Sequence, residues 1–66
     1  MTRTVSGVYE NEDQLKNTWD ELINSGIFRE DIHDDEENRT LKVKVPAETV
    51  PEIEEIFDRH GLSRSS

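Results

Sequence analysis

The chain contains no cysteine. That excludes a disulfide framework and thiolate metal ligation, and it fits a reducing compartment. Long hydrophobic runs are also missing. The longest span two residues, at Leu22-Ile23, Ile27-Phe28 and Ile56-Phe57, so neither a membrane-spanning segment nor a signal h-region is expected. Aromatic side chains are scarce (6%) and apolar ones make up only 30% of 66 residues. A core built from so few groups balances chain entropy closely, which predicts a net stability of only a few kcal/mol. Positive charge is the remaining shortage. Eight Lys and Arg face sixteen Asp and Glu, for a net charge of −8. Such a chain repels phosphate backbones and anionic lipid surfaces, so no nucleic-acid or membrane partner is expected. Basic protein partners and cations remain, and a cytoplasmic location is expected.

The three glycines are placed with purpose. Leu15, Thr18, Leu22, Gly26 and Ile27 recur 35 residues later as Val50, Ile53, Phe57, Gly61 and Leu62. Each set reads as one helix with a buried stripe, a glycine stop, and an apolar residue returning the exit to the core. Asn11, with Gln14 three residues on, forms an approximate capping box for the first helix, and Glu12 and Asp13 favour its positive end. Leu15, Trp19, Leu22 and Ile23 supply its apolar face. In the second helix Pro51 excludes a start at Ala47. Thr49 as N-cap puts the proline at the second helical position and makes a capping box with Glu52.

Three segments read as strands. Thr2 to Tyr9 is rich in Thr and Val, and its Gly7 marks either a bulge or a close approach by a helix. Ile27 to Asp35 forms a second, highly charged strand, followed by a turn at Glu36-Glu37-Asn38. Arg39 to Val45 is the clearest, with Leu41, Val43 and Val45 on one face, Lys42 and Lys44 on the other, and Pro46 ending it.

The order βαββα with a right-handed crossover gives a split βαβ unit. The expected fold is α+β: a two-layer βαββα sandwich, ferredoxin-like but lacking the last strand. Its three-stranded antiparallel sheet has order 1-3-2, with both helices on one face. One domain covers residues 1–66, with an ordered core over about 3–62 and a frayed tail at 63–66. The missing strand would leave an open edge on the first strand, suited to pairing with another chain.

Val5-Ser6-Gly7-Val8-Tyr9 followed by Glu10-Asn11-Glu12-Asp13 opens the chain. Ser25-Gly26-Ile27-Phe28-Arg29-Glu30-Asp31-Ile32 occupies its middle, and Val43-Lys44-Val45-Pro46 and Ile56-Phe57-Asp58-Arg59-His60-Gly61-Leu62 complete it. In these runs the chain resembles a small βαββα domain of bacterial general-stress or heat-induced proteins. The acidic hairpin here is longer than in that pattern. The resemblance implies the fold and a stress-related setting. It carries no catalytic residues.

Candidate sites are few. In an extended segment Asp31, His33 and Asp35 share one face and could offer ligands to a divalent cation, although the glycine and ligand ladder of a calcium loop are missing. The simpler reading is a solvated edge strand whose charges prevent aggregation. Lys42 and Lys44 read as cross-strand ion-pair partners or as a recognition face for an anion. Trp19 reads as core, or as an interface anchor if exposed. His60 reads as a helix C-terminal cap. Val5 and Tyr9 belong to the strand with the open edge and join Trp19, Lys42 and Lys44 as candidate interaction residues. No catalytic constellation, phosphate loop or cofactor motif is present, so no cofactor and no enzymatic activity are expected. The leading expectation is an interaction or regulatory module acting through the open strand edge or the uncovered sheet face, with weak homodimerisation through the first strand. The alternative is a charge-based binder, holding a divalent cation at residues 30–37 or acting as an acidic decoy for a DNA-binding protein.

Overall fold

In the computed structural model, which describes residues 1–64, the alternation of apolar residues and lysines forms the central strand. The elements in chain order are β1 (Thr2–Val8), α1 (Glu12–Asn24), β2 (Ile32–Asp35), β3 (Thr40–Pro46), α2 (Val50–Arg59) and β4 (Ser63–Arg64). Two 3₁₀ turns, Arg29–Asp31 and Ala47–Thr49, lead into β2 and α2. The antiparallel sheet has the order β2-β3-β1-β4. Val5 and Ile32 both lie beside Val43, on either side of β3, so three buried β-branched residues form one row across the sheet. Leu41, Val43 and Val45 face the helices, and Lys42 and Lys44 face solvent. Ile53, Ile56 and Phe57 of α2 and Leu22 of α1 complete the core. Each such fully buried side chain contributes about 1.5–3 kcal/mol relative to exposure. No helix among the described residues is long and apolar enough to cross a membrane.

The two glycine exits have the same geometry. Gly26 (φ +94°) and Gly61 (φ +77°) each take the left-handed conformation. The Gly26 N–H donates to the Ile23 carbonyl (3.0 Å) and the Ile27 N–H to Leu22 (3.1 Å). The Gly61 N–H donates to Asp58 (3.1 Å) and the Leu62 N–H to Phe57 (2.9 Å). Both are Schellman motifs, and both return an apolar residue to the core. Thr18, equivalent to Ile53, is fully buried, and its hydroxyl donates to the Gln14 carbonyl at 2.7 Å. Gly7 marks a close approach. A Cβ there would lie 2.7 Å from Phe57 Cδ2 and 3.1 Å from Leu62 Cδ2, while pairing with β3 continues unbroken through it.

Several expectations need correction. A fourth strand does form. Ser63 and Arg64 pair with Val8 and Gly7, so the C-terminal end of β1 has a strand beside it. The Schellman exit causes this, because it sends the chain directly back along β1. Ser63 and Arg64 are therefore not a frayed tail, and Ser65 and Ser66 lie outside the described residues. The second strand starts at Ile32, because Asp31 N–H donates to the Phe28 carbonyl and closes a 3₁₀ turn. Thr49 precedes α2 but makes no side-chain cap. The preceding 3₁₀ turn already holds it in helical conformation (φ −92°, ψ −12°), whereas a capping hydroxyl needs an extended backbone. Asn11 does cap α1, with Oδ1 accepting from the Gln14 N–H at 2.8 Å. Gln14 Oε1 reaches back to the Glu10 N–H (2.6 Å), one residue before the N-cap.

Candidate functional site

Helix α1 buries Thr18 and Leu22, so its apolar residues at Leu15, Trp19 and Ile23 follow the border of the core rather than its centre. Leu15 and Trp19 are half-buried against the core, and Ile23 is 39% exposed. At Gly26 the Schellman exit turns Ile27 inward. The next residue, Phe28, has extended backbone (φ −72°, ψ 139°), and its ring is 70% exposed. The result is a shallow groove floored by Trp19, Ile23, Ile27 and Phe28 and flanked by Asp20 and Arg29. On the other side of the Trp19 indole, Leu15 lines a second depression with Glu12, Asp13 and Lys16. One apolar stripe thus runs the length of α1 and onto the following loop, within a mainly acidic rim.

The internal repeat marks where this stripe departs from the second unit. Shifted by 35 residues, Trp19 corresponds to Glu54, Ile23 to Asp58 and Phe28 to Ser63. The second unit makes the same helix and the same exit with polar residues at all three positions. Periodicity alone makes Ile23 a residue of the apolar helix face and Phe28 a strand residue. The repeat offset was the signal that could have separated them from the core.

The other sequence candidates occupy different places. Val5 (9% exposed) and Tyr9 (6%) are core residues, so their side chains cannot serve as contact groups on the strand edge. They point toward the helices, alternating with the outward Thr4, Ser6 and Val8. Tyr9 donates its hydroxyl to Asp34 Oδ1 at 2.7 Å. Burial, then the hydrogen bond and charge of Asp34, push the phenol up to about 12.

Asp31, His33 and Asp35 lie along the outer face of the sheet, His33 opposite Lys42 and Asp35 opposite Thr40. Asp31 lies in the 3₁₀ turn and lines a shallow hollow with Thr2, Lys44 and Pro46, whereas His33 and Asp35 belong to β2. Among the described residues no three His, Asp or Glu side chains are grouped to hold a metal ion. The hairpin carboxylates are engaged locally as well. Asp35 accepts from Asn38 Nδ2 at 2.9 Å and from the Asn38 N–H at 3.4 Å. The Asn38 side chain, then its backbone and the charge of Lys42, hold the Asp35 carboxyl below its ordinary value. Lys42 and Lys44 are exposed on the outer face, with Lys42 opposite His33 and Ser6 and Lys44 opposite Thr4. His60 is the C-cap of α2, and Glu21 Oε1 lies 2.6 Å from its Nε2. Glu21 also accepts from Arg59, so one carboxylate of α1 holds two residues at the end of α2.

No family model matches the chain, and comparison with curated proteins and with solved structures gives no match.

Proposed function

We propose that this chain is a small, non-enzymatic protein-interaction module whose docking surface is the Trp19–Ile23–Phe28 stripe. The observation that carries the reading is the departure from the repeat. Three large apolar residues replace Glu54, Asp58 and Ser63 where the equivalent structure does without them. Ile23 and Phe28 are exposed and Trp19 is only half-buried, which costs solvation free energy and is the pattern expected when a partner covers them. The rim suggests the partner's chemistry. Glu12, Asp13, Asp20 and Glu30 outnumber Lys16 and Arg29 around the stripe, and the whole chain carries −8. The occupant is a cationic amphipathic segment, with apolar anchors on the stripe and Lys or Arg against the acids. A stress-related setting for such a module is supported by the resemblance in the Val5–Tyr9 opening and the Ile56–Leu62 exit.

Trp19 is the single tryptophan, so its emission reports on this site. Titration with a synthetic amphipathic Leu/Lys helix should give a saturable blue shift, absent with a scrambled peptide of equal composition. Phe28→Ser should weaken binding at least about tenfold, as expected for an aromatic anchor. The reading fails if the scrambled peptide binds equally well, or if Phe28→Ser leaves the affinity unchanged.

A further inference from the structure

Trp19 lines both depressions along α1, so its indole is the ridge between them. Leu15 bounds the hollow on one side, and Ile23 and Phe28 bound the one on the other. Leu15 and Ile23 are separated by two turns of helix, about 12 Å. A partner that fills both hollows therefore needs two large apolar groups at that spacing, with a small one between them.

The backbone decides what kind of segment carries those groups. Helix α1 uses its main-chain donors and acceptors within its own turns, and the Phe28 carbonyl accepts from the Asp31 N–H at 2.9 Å. An extended segment would lay its N–H and C=O groups on an apolar stripe with nothing to pair them. A helix satisfies its own backbone. It also brings side chains about seven positions apart, roughly 10 Å, onto one face.

The charges give the direction. The Leu15 hollow is lined by two acids, Glu12 and Asp13, and one base, Lys16. The Phe28 hollow has one of each, Asp20 and Arg29. Beyond them Glu10 and Glu30 add one acid to each end. Glu12, Asp13 and Arg29 make no ion pair among the described residues. A helix is most stable with acids in its first turn and bases in its last. We infer, resting on the docking reading above, that the partner contributes one α-helix lying antiparallel to α1. Its basic last turn covers Glu12 and Asp13, its acidic first turn meets Arg29, and the two macrodipoles run in opposite directions. Its large apolar residues fill the two hollows, and a small residue crosses the Trp19 indole. A second copy of the chain supplies no such helix. The last turn of α1 holds no base, and α2 sets Arg59 against Glu52, Glu54, Glu55 and Asp58.

Two synthetic peptides of equal composition test the direction. Each carries two leucines seven positions apart with alanine between, and a hydrocarbon cross-link on the opposite face holds both helical. One has Glu in its first turn and Lys in its last, and the other has the reverse. Followed by Trp19 emission, the first should bind about fivefold or more tightly at low salt, with the difference shrinking as salt is raised. A nitroxide on its C-terminus should broaden the amides of residues 12–16 more than those of residues 24–29. Glu12→Gln with Asp13→Asn should remove the preference while both peptides still bind. Equal affinities at low salt, or stronger broadening at residues 24–29, overturn the inference and leave the docking surface standing. Tighter binding by an uncross-linked peptide of alternating Leu and Lys, extended when bound, does the same. If neither helical peptide shifts the Trp19 emission, the docking reading falls and this inference falls with it.

Discussion

The side-chain amide of Gln14 donates to the main-chain carbonyl of His60 at 2.7 Å, joining the first turn of α1 to the end of α2. The same residue supplies its N–H to the Asn11 cap and accepts from the Glu10 N–H, so both ends of its side chain are used. Removing it leaves two backbone groups without partners at once. Gln14→Ala should cost about 1–3 kcal/mol, read from the shift in the urea midpoint. Gln14→Glu keeps an acceptor for Glu10 but sets a carboxylate against the His60 carbonyl, and it should be no more stable than the alanine variant. A loss below about 0.5 kcal/mol for Gln14→Ala would show that water replaces the bridge without penalty.

Position 7 offers a test of packing. A Cβ on Gly7 would sit 2.7 Å from the Phe57 ring, closer than two such carbons can approach. Gly7→Ala should destabilise by about 1–3 kcal/mol through overpacking. Phe57→Leu alone should also destabilise, by opening a cavity. Combined, the two changes should cost less than their sum, because the smaller side chain makes room for the new methyl. Thermal unfolding of the four proteins in the cycle measures the coupling. Simple additivity would mean that the strand and helix shift apart instead.

Tyr9 predicts the alkaline limit of stability. Its folded-state value is raised to about 12 from an ordinary 10.0, by burial and then by the Asp34 hydrogen bond. The neutral phenol is therefore favoured in the fold. Its contribution is complete below pH 10 and is lost as pH rises through about 12. Linkage puts the loss at about 2–3 kcal/mol, a large share of the stability of a chain this short. As the only tyrosine, Tyr9 can be followed directly by phenolate absorbance. Ionisation should coincide with unfolding above pH 10, and titration near 10 with the fold intact would contradict the buried pair. At the acid end the sign reverses. The lowered Asp35 carboxyl adds stability above 3.8 that is lost as pH falls through its folded-state value.

Much of this fold could be read from the residues, for definite reasons. The alternation at Leu41, Val43 and Val45 and the glycines at 26 and 61 each meet a local geometric demand that few other residues satisfy. The 35-residue offset even placed Thr18 in the core, although hydropathy would have left it outside. What could not be read depends on relations between elements. Helical periodicity shows that Ile23 and Trp19 lie near an apolar face, but not that the core ends before it covers them. A Tyr on the buried side of β1 is tolerable only because the strand register brings Asp34 within reach of its hydroxyl. Strand β4, at two residues, is too short for any sequence pattern and exists because the Leu62 turn delivers it to Val8. Of the proposed docking stripe, Trp19 stood among the sequence candidates, whereas Ile23 and Phe28 did not, for a related reason. In sequence those two look like core or strand residues and differ from them by their polar equivalents in the second unit.

The contact between Gly7 and Phe57 also limits how this sequence can drift. The two positions share one fixed volume, with Leu62 closing its third side. Among descendants of this chain, residues 7 and 57 should therefore vary as a correlated pair, a larger group at one accompanied by a smaller group at the other. A sheet residue and a helix residue fifty positions apart are, for the purposes of inheritance, a single site.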